Sequence, residues 1–266
     1  MAEVFTITMN KGGSSKTTMV SNLVGALTRT QPDKKILLID TDGQGNLSIA
    51  FGHTQPNDFE YTIYDVLTEG MDPKEVIMEL APNLHICPAN KDMNFFELDI
   101  LPKINQYPEP FKLLSNAFEG VLNDYDYIFI DTPPSMGLVA GNVLTFADKV
   151  IIPFAPEAFG VNGLINVIEG VTDFKQENNP GLEIAGVVGM MVDSRTNLHT
   201  ELMAQARAYC EREGIPMYET MIPRSIRFAN ATAYDNQPAT LSDAGNKIVK
   251  RYYDLLEEVL GHGAKK

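Results

Sequence analysis

Tryptophan is absent from this 266-residue chain, cysteine occurs twice and histidine four times. Cys87 and Cys210 stand far apart, with no C-x-x-C pair and no Cys/His ligand spacing, which argues against a disulfide framework and a structural zinc site. Buried, inert thiols are the expectation. No apolar run approaches the roughly 20 residues a membrane-spanning helix needs, and no basic-then-apolar leader opens the chain. The expectation is a soluble, cytoplasmic protein. Positive charge is also in short supply: 21 Lys and Arg face 35 Asp and Glu, a formal charge of −14. That argues against coating DNA by bulk electrostatics and leaves room for a local basic patch.

What is present is a chain 44% hydrophobic and 21% charged, long enough for one large α/β domain. Short runs rich in Ile, Val and Leu recur at 4–9, 35–40, 84–89, 127–131, 149–154 and 184–192. Runs that are apolar on both faces suit a parallel sheet covered on both sides. Helix-like segments lie between them, at 17–28, 109–122, 161–176 and 199–213. The alternation predicts an α/β fold, a doubly wound and mostly parallel sheet flanked by helices, in a single domain over 1–266. Residues 53–110, with many Pro, Asn and Asp, read as a looser excursion within it. No internal repeat or linker divides the chain.

In such folds ligands sit at the carboxyl ends of the strands. The first run is followed by "NKGGSSKTT" (10–18), a strand–turn–helix junction in which successive backbone N–H groups and a helix N-terminus form an anion cradle. Gly12, Gly13, Ser14, Ser15 and Thr18 are candidate loop contacts. Lys16 fits a β/γ-phosphate clamp and Thr17 a Mg²⁺ ligand. The strict pattern G-x-x-x-x-G-K-[ST] is not met, because Asn10 and Ser15 stand at its glycine positions. By itself the stretch also reads as a Gly/Ser-rich surface turn. The second run ends in "IDTDGQGNL", placing Asp40 and Asp42 at a strand end, Asp42 to polarise a water and Asp40 to orient a metal's hydration shell. A helix cap plus a turn aspartate is the plainer reading of that pair. The fourth run ends at Asp131, in the form that holds Mg²⁺ through water in phosphate-loop NTPases, and "TPPS" follows as a candidate γ-phosphate switch. Three strand ends in this order are hard to assign to structure alone.

These blocks, with "FIDTPPSMGLVAGNVLTFADKVIIPFAPEAFGVNGL", "MMVDSRTNLHTEL" and "IPRSIRFANATAYDNQPA", resemble the ParA/MinD group of deviant P-loop ATPases, and more closely its ParA (Soj-like) partition members, over nearly the whole chain. The resemblance implies MgATP as cofactor and a nucleotide-sandwich homodimer in which Lys11 reaches the nucleotide of the other subunit. It also implies slow hydrolysis promoted by Asp42, nonspecific DNA binding by the ATP state on the nucleoid, and a ParB-type centromere-binding partner that stimulates turnover. Pro223 would contribute to the adenine pocket. Arg195, Arg224, Arg227, Lys247, Lys250 and Arg251 are the basic candidates for DNA phosphates. The chain departs from the family where Ser15 replaces a glycine and Gly43 a proline. An N-terminal helix-turn-helix domain is not expected. A MinD-like membrane-positioning ATPase is the alternative, but the tail "YYDLLEEVLGHGAKK" carries Asp254, Glu257 and Glu258, a poor match for anionic lipid.

Overall fold

The computed structural model describes residues 1–9, 15–53 and 55–261. Among them eight strands form one sheet: β1 (Glu3–Ile7), β2 (Ile36–Asp40), β3 (Met78–Ala81), β4 (Leu84–Cys87), β5 (Tyr127–Asp131), β6 (Lys149–Phe154), β7 (Glu183–Val192) and β8 (Met217–Pro223). Their order is β3-β4-β2-β5-β1-β6-β7-β8. Every neighbouring pair is parallel except β3 with β4, so the expected mostly parallel sheet is what forms.

The apolar runs become strands because both sheet faces are covered. All five residues of β2 are buried, and successive ones go to opposite sides. Leu37 and Ile39 join one core with Ile128 and Ile130, while Ile36 and Leu38 join the other with Phe5, Ile7 and Phe129. The second core is closed by α1 (Lys16–Thr30), through Met19, Leu23 and Leu27, and by the last helix. The first core is closed by α2 (Leu138–Phe146), α3 (Gly160–Glu177) and α4 (Asn197–Glu213). Each fully buried Leu or Ile contributes about 1.5–3 kcal/mol, so this two-sided cover is what selects sheet over helix for those runs.

Two expectations change on inspection of the chain. The segment 109–122 is not one helix: a 3₁₀ turn (Pro110–Lys112), a short α-helix (Leu113–Phe118) and another 3₁₀ turn (Glu119–Val121) follow one another. Pro110 sits in the first turn, where it is tolerated, and Gly120 near the end has low helix propensity. Within the excursion, residues 55–110 carry more regular structure than their composition suggests. They hold a helix (Ile63–Glu69) closed by a Thr62/Asp65 capping box, and the antiparallel edge strand β3. The final helix, α5 (Lys250–Val259), buries Tyr252, Leu255, Leu256 and Val259 in the second core. Cys87 and Cys210 are buried free thiols, as expected, and burial pushes both up from the ordinary thiol range.

Candidate nucleotide site

The order β2-β5-β1 sets three carboxyl ends side by side. Asp40 and Asp131 are register partners across β2 and β5, and Ile7 at the end of β1 pairs with Asp131. The chain leaving β1 enters α1 at Lys16, so the strand ends that the sequence spaced far apart meet at one place.

Both carboxylates are fully buried. Thr17 donates its hydroxyl to Asp131 Oδ2 at 2.5 Å, while Asp131 Oδ1 has no hydrogen-bond partner among the described residues. Burial pushes the Asp131 carboxyl up to about 7, the Thr17 hydroxyl and Lys16 opposing and Asp42 adding to the rise. Asp40 is pushed well above the usual carboxylate range by burial and then by Asp131 beside it. Asp40 also bonds the loop that follows it, as the plainer turn-and-cap reading of that pair allows. Its two oxygens accept from the amides of Asp42 (3.0 Å) and Leu47 (3.1 Å), folding residues 41–47 back over the strand end. Asp42 is half-exposed on that loop and accepts from Gln44 N at 3.0 Å.

Lys16 is 7% exposed, and its Nζ donates to Met9 O at 3.3 Å. Burial lowers its pKa, and Asp131 and Asp42 oppose that. Ser15 precedes it in the left-handed region (φ 65°) and gives α1 no side-chain cap; no acidic residue lies in the helix's first turn. Among the described residues neither the N-cap side chain nor an acidic group caps the opening turn of this 15-residue helix, and a helix N-terminus of that kind suits an anion. Thr17 and Thr18 are half-buried on that turn. Lys11, Gly12, Gly13 and Ser14 lie outside the described residues.

The donor set fits a hard cation beside an anion: a buried carboxylate oxygen without a partner among the described residues, a hydroxyl 2.5 Å from its twin oxygen, and an ammonium on the adjacent helix turn. Among the described residues no group of three or more His, Cys, Asp or Glu forms an all-protein metal cage. Mg²⁺ habitually keeps several waters and borrows phosphate oxygens, which suits such a sparse set.

Pro223 ends β8 and is half-buried. The basic candidates divide. Arg195 is held bidentately by Asp193, through Nε and Nη2 at 2.8 Å each, Arg227 pairs with Asp243 at 3.0 Å, and Arg251 with Asp254 at 3.6 Å. Lys247 and Lys250 are exposed, on the turn that runs from Asp243 into α5. The Arg227–Asp243 pair brings the end of β8, with Arg224, to that turn. Arg195 leaves from the end of the neighbouring strand β7. Sequence reading missed two residues that touch the loops of this site, Asn94 and Glu97; only the folded chain brings them there.

A mostly parallel sheet with a helix starting at Lys16 beyond β1 and aspartates ending β5 and β2 beside it is the arrangement of a P-loop ATPase. The comparisons agree. The AAA domain family matches residues 2–184. The sporulation initiation inhibitor protein Soj of Bacillus subtilis is 34% identical over 99% of this chain and all of that protein. The chromosome partitioning protein ParA of Myxococcus xanthus is 31% identical over 98% of this chain and 88% of that protein. Cobyrinic acid a,c-diamide synthase from Mycobacterium smegmatis, solved with an ATP analog and magnesium, superposes with a TM-score of 0.84 at 26% identity, covering 100% of this chain and 96% of that one. The chain belongs to the ParA/MinD family of P-loop ATPases and is similar to its Soj-like partition proteins. No helix among the described residues is long and apolar enough to cross a membrane.

Proposed function

We propose that this chain is an ATP-dependent DNA-partition protein. The observation that carries the ATPase chemistry is the meeting of Lys16, Thr17, Asp40, Asp42 and Asp131 at three adjacent strand ends, with Asp131 Oδ1 buried and without a partner among the described residues. In this reading the opening amides of α1 and the Lys16 ammonium bind the β/γ-phosphates. Thr17 and Asp131 hold Mg²⁺, Asp131 through water, and the metal supplies charge neutralisation when bound. Asp40 keeps the loop 41–47 folded, and Asp42 on that loop orients the attacking water. The loop 12–15 cradles the phosphates and Pro223 borders the adenine.

Lys11 closes the dimer. Two nucleotide-loaded faces repel one another, and a lysine given by each subunit to the other's phosphates makes association depend on ATP. The dimer then doubles the basic patch of Arg224, Lys247 and Lys250, with Arg195, Arg227 and Arg251 at its edges, and holds DNA through phosphates without reading sequence. Hydrolysis is slow until a ParB-type partner stimulates it and releases the dimer. Full-length similarity to Soj and ParA supports this reading over the membrane-positioning alternative. So does α5, whose apolar face is already buried in the core rather than available to lipid.

The test is binding to a nonspecific duplex with ATP, ADP or no nucleotide, at several salt concentrations, for the wild type and Lys11→Ala, with liposomes as a parallel arm. ATP-dependent, salt-sensitive DNA binding that Lys11→Ala loses supports the proposal. ATP binding without DNA binding in any nucleotide state overturns the partition reading.

A further inference from the structure

Residues 90–100 form a short brace across the site. A 3₁₀ turn (Lys91–Phe95) runs into a helix (Phe96–Ile100), seated on the core by Met93, Phe96 and Ile100 and started by Asn90, whose side chain accepts from Asp92 N at 2.9 Å. Two of its side chains touch the two loops of the nucleotide site from the same side.

The first is Asn94. Its amide lies against Gly43, one residue beyond Asp42: a Cβ at Gly43 would come within 2.6 Å of Asn94 Oδ1 and 2.7 Å of its Nδ2. The amide is not free to drift, because Nδ2 donates to Lys91 O at 2.9 Å. The second is Glu97. Its Oε1 accepts from Leu138 N at 2.6 Å, the first amide of α2, which begins where the loop from Asp131 ends. A carboxylate there satisfies an orphan amide and complements the helix dipole. Gly137 makes the approach possible, since any Cβ at that position would collide with the Glu97 carboxylate. Gly137 has an ordinary extended φ of −97°, so space rather than backbone conformation requires the glycine.

We propose that residues 90–100 are a brace that sets both catalytic loops, with Asn94 positioning the loop of Asp42 and Glu97 positioning the loop that follows Asp131. The inference rests on the ATPase reading above. It gives a physical reason for the glycine at position 43: a Cβ there would occupy the place of the Asn94 amide. Neither Asn94 nor Glu97 touches nucleotide in this scheme. Each fixes backbone, and through it the place of the water-orienting carboxylate and the γ-phosphate loop.

The test is steady-state ATP hydrolysis by the full chain, with kcat and KM separated. Glu97→Ala is expected to lower kcat roughly tenfold, the size of one lost charged hydrogen bond, with KM changed less than about twofold. Glu97→Gln, whose amide oxygen still accepts from Leu138 N, is expected to recover most of kcat. Asn94→Ala, which takes the amide away from Gly43, is expected to lower kcat several-fold with KM little changed, and Gly43→Ala, whose Cβ would displace that amide, to lower kcat similarly without adding to Asn94→Ala in the double variant; these variants read the contact independently of Glu97. A wild type that binds ATP and never hydrolyses it overturns the ATPase reading itself. A hydrolysing wild type whose kcat is untouched by Glu97→Ala or by Asn94→Ala, or effects of Gly43→Ala and Asn94→Ala that simply add, overturns the brace and leaves the ATPase reading standing.

Discussion

Replacing Asp131 by Asn should stabilise the nucleotide-free protein at neutral pH while removing its response to MgATP. The wild-type carboxyl is fully buried, faces Asp40 across the strand pair, and is pushed from the ordinary 3.8 up to about 7. A carboxyl raised that far costs the folded state roughly 4 kcal/mol once pH exceeds both values. Asparagine removes the charge and keeps an oxygen for the Thr17 hydroxyl, though a neutral acceptor is weaker by about 1 kcal/mol. The Nδ2 that takes the place of Oδ1 brings buried donors without partners among the described residues, a further cost of about 1 kcal/mol or more, so a net gain of about 1–2 kcal/mol remains, or about 2–8 °C in Tm for a chain of this size. The sign follows from proton release. Below about pH 4 the group is protonated in folded and unfolded chains alike, and the variant gains nothing. Between about pH 4 and 7 the unfolded chain releases its proton and the folded one retains it, so wild-type stability falls and the variant's margin grows, levelling off above about pH 7. Thermal melting from pH 4 to 8 without nucleotide measures this directly. A variant that melts below wild type at pH 8, or by the same margin at every pH, would refute the reasoning. In saturating MgATP the order should reverse, because the wild type gains by ligand linkage and the variant has lost the cation's anchor. Equal MgATP stabilisation of the two would remove Asp131 from the metal site.

Three further outcomes follow from named contacts. Ser15→Gly relieves a left-handed backbone on a residue with a Cβ and adds unfolded-chain entropy; a change in unfolding free energy between zero and about 1 kcal/mol of stabilisation is expected by denaturant titration, and a loss larger than about 1 kcal/mol would show that the hydroxyl matters more than φ. Gly25→Ala, which in an exposed helix would stabilise by about 1 kcal/mol, should instead destabilise by about 1–3 kcal/mol, because its Cβ would strike Thr240 Oγ1, a buried hydroxyl bonded to Asn22 O; a raised Tm would contradict that packing. Glu258 accepts from the amides of Glu219 (2.8 Å) and Thr220 (2.9 Å), fastening α5 to edge strand β8. Glu258→Ala should cost about 1–3 kcal/mol and speed amide exchange at those two residues, and unchanged exchange would place the clamp elsewhere.

The parts of the fold visible in sequence are those where burial on two faces leaves an unbroken apolar run. Residues 36–40 and 127–131 read as strands for that reason, and the aspartates closing them marked the site. β8 escaped because it is an edge strand: Tyr218, Thr220 and Ile222 are buried, while Glu219 and Met221 face solvent, an alternation that a search for continuous runs passes over. β3 is four residues of mixed exposure, recognisable only from its partner β4. Within the site, residue identity was legible and pairing was not. That Asp40 and Asp131 are direct neighbours follows from strand order, which no local pattern encodes. Glu97 meets Leu138 across 41 positions of sequence for the same reason. The basic candidates show the converse limit. Arg195 and Arg227 stand in the sequence as candidates for DNA phosphates, and the folded chain gives each a carboxylate, Asp193 and Asp243.

Ser15 and Gly43, the two departures from the family pattern, act through backbone and space rather than through chemistry. Ser15 holds a left-handed conformation that glycine adopts at no steric cost, so the junction into α1 keeps its geometry by carrying strain of about 1 kcal/mol in a segment anchored by the buried start of the helix. Gly43 relaxes the loop of Asp42 in φ and ψ, and freedom of that kind would blur the position of the carboxylate. Two contacts restrict it from outside: Asp40 accepts the amides of Asp42 and Leu47 at either end, and Asn94 lies against Gly43 itself. The loop is therefore set by tertiary contacts where a proline would set it covalently. A loop held that way can be released by moving one side chain. Turnover in this chain should accordingly be more sensitive to whatever displaces residues 90–100 than it would be with proline at position 43, and Asn94→Ala, which lowers kcat in the wild type, should leave it unchanged in a chain that carries Gly43→Pro.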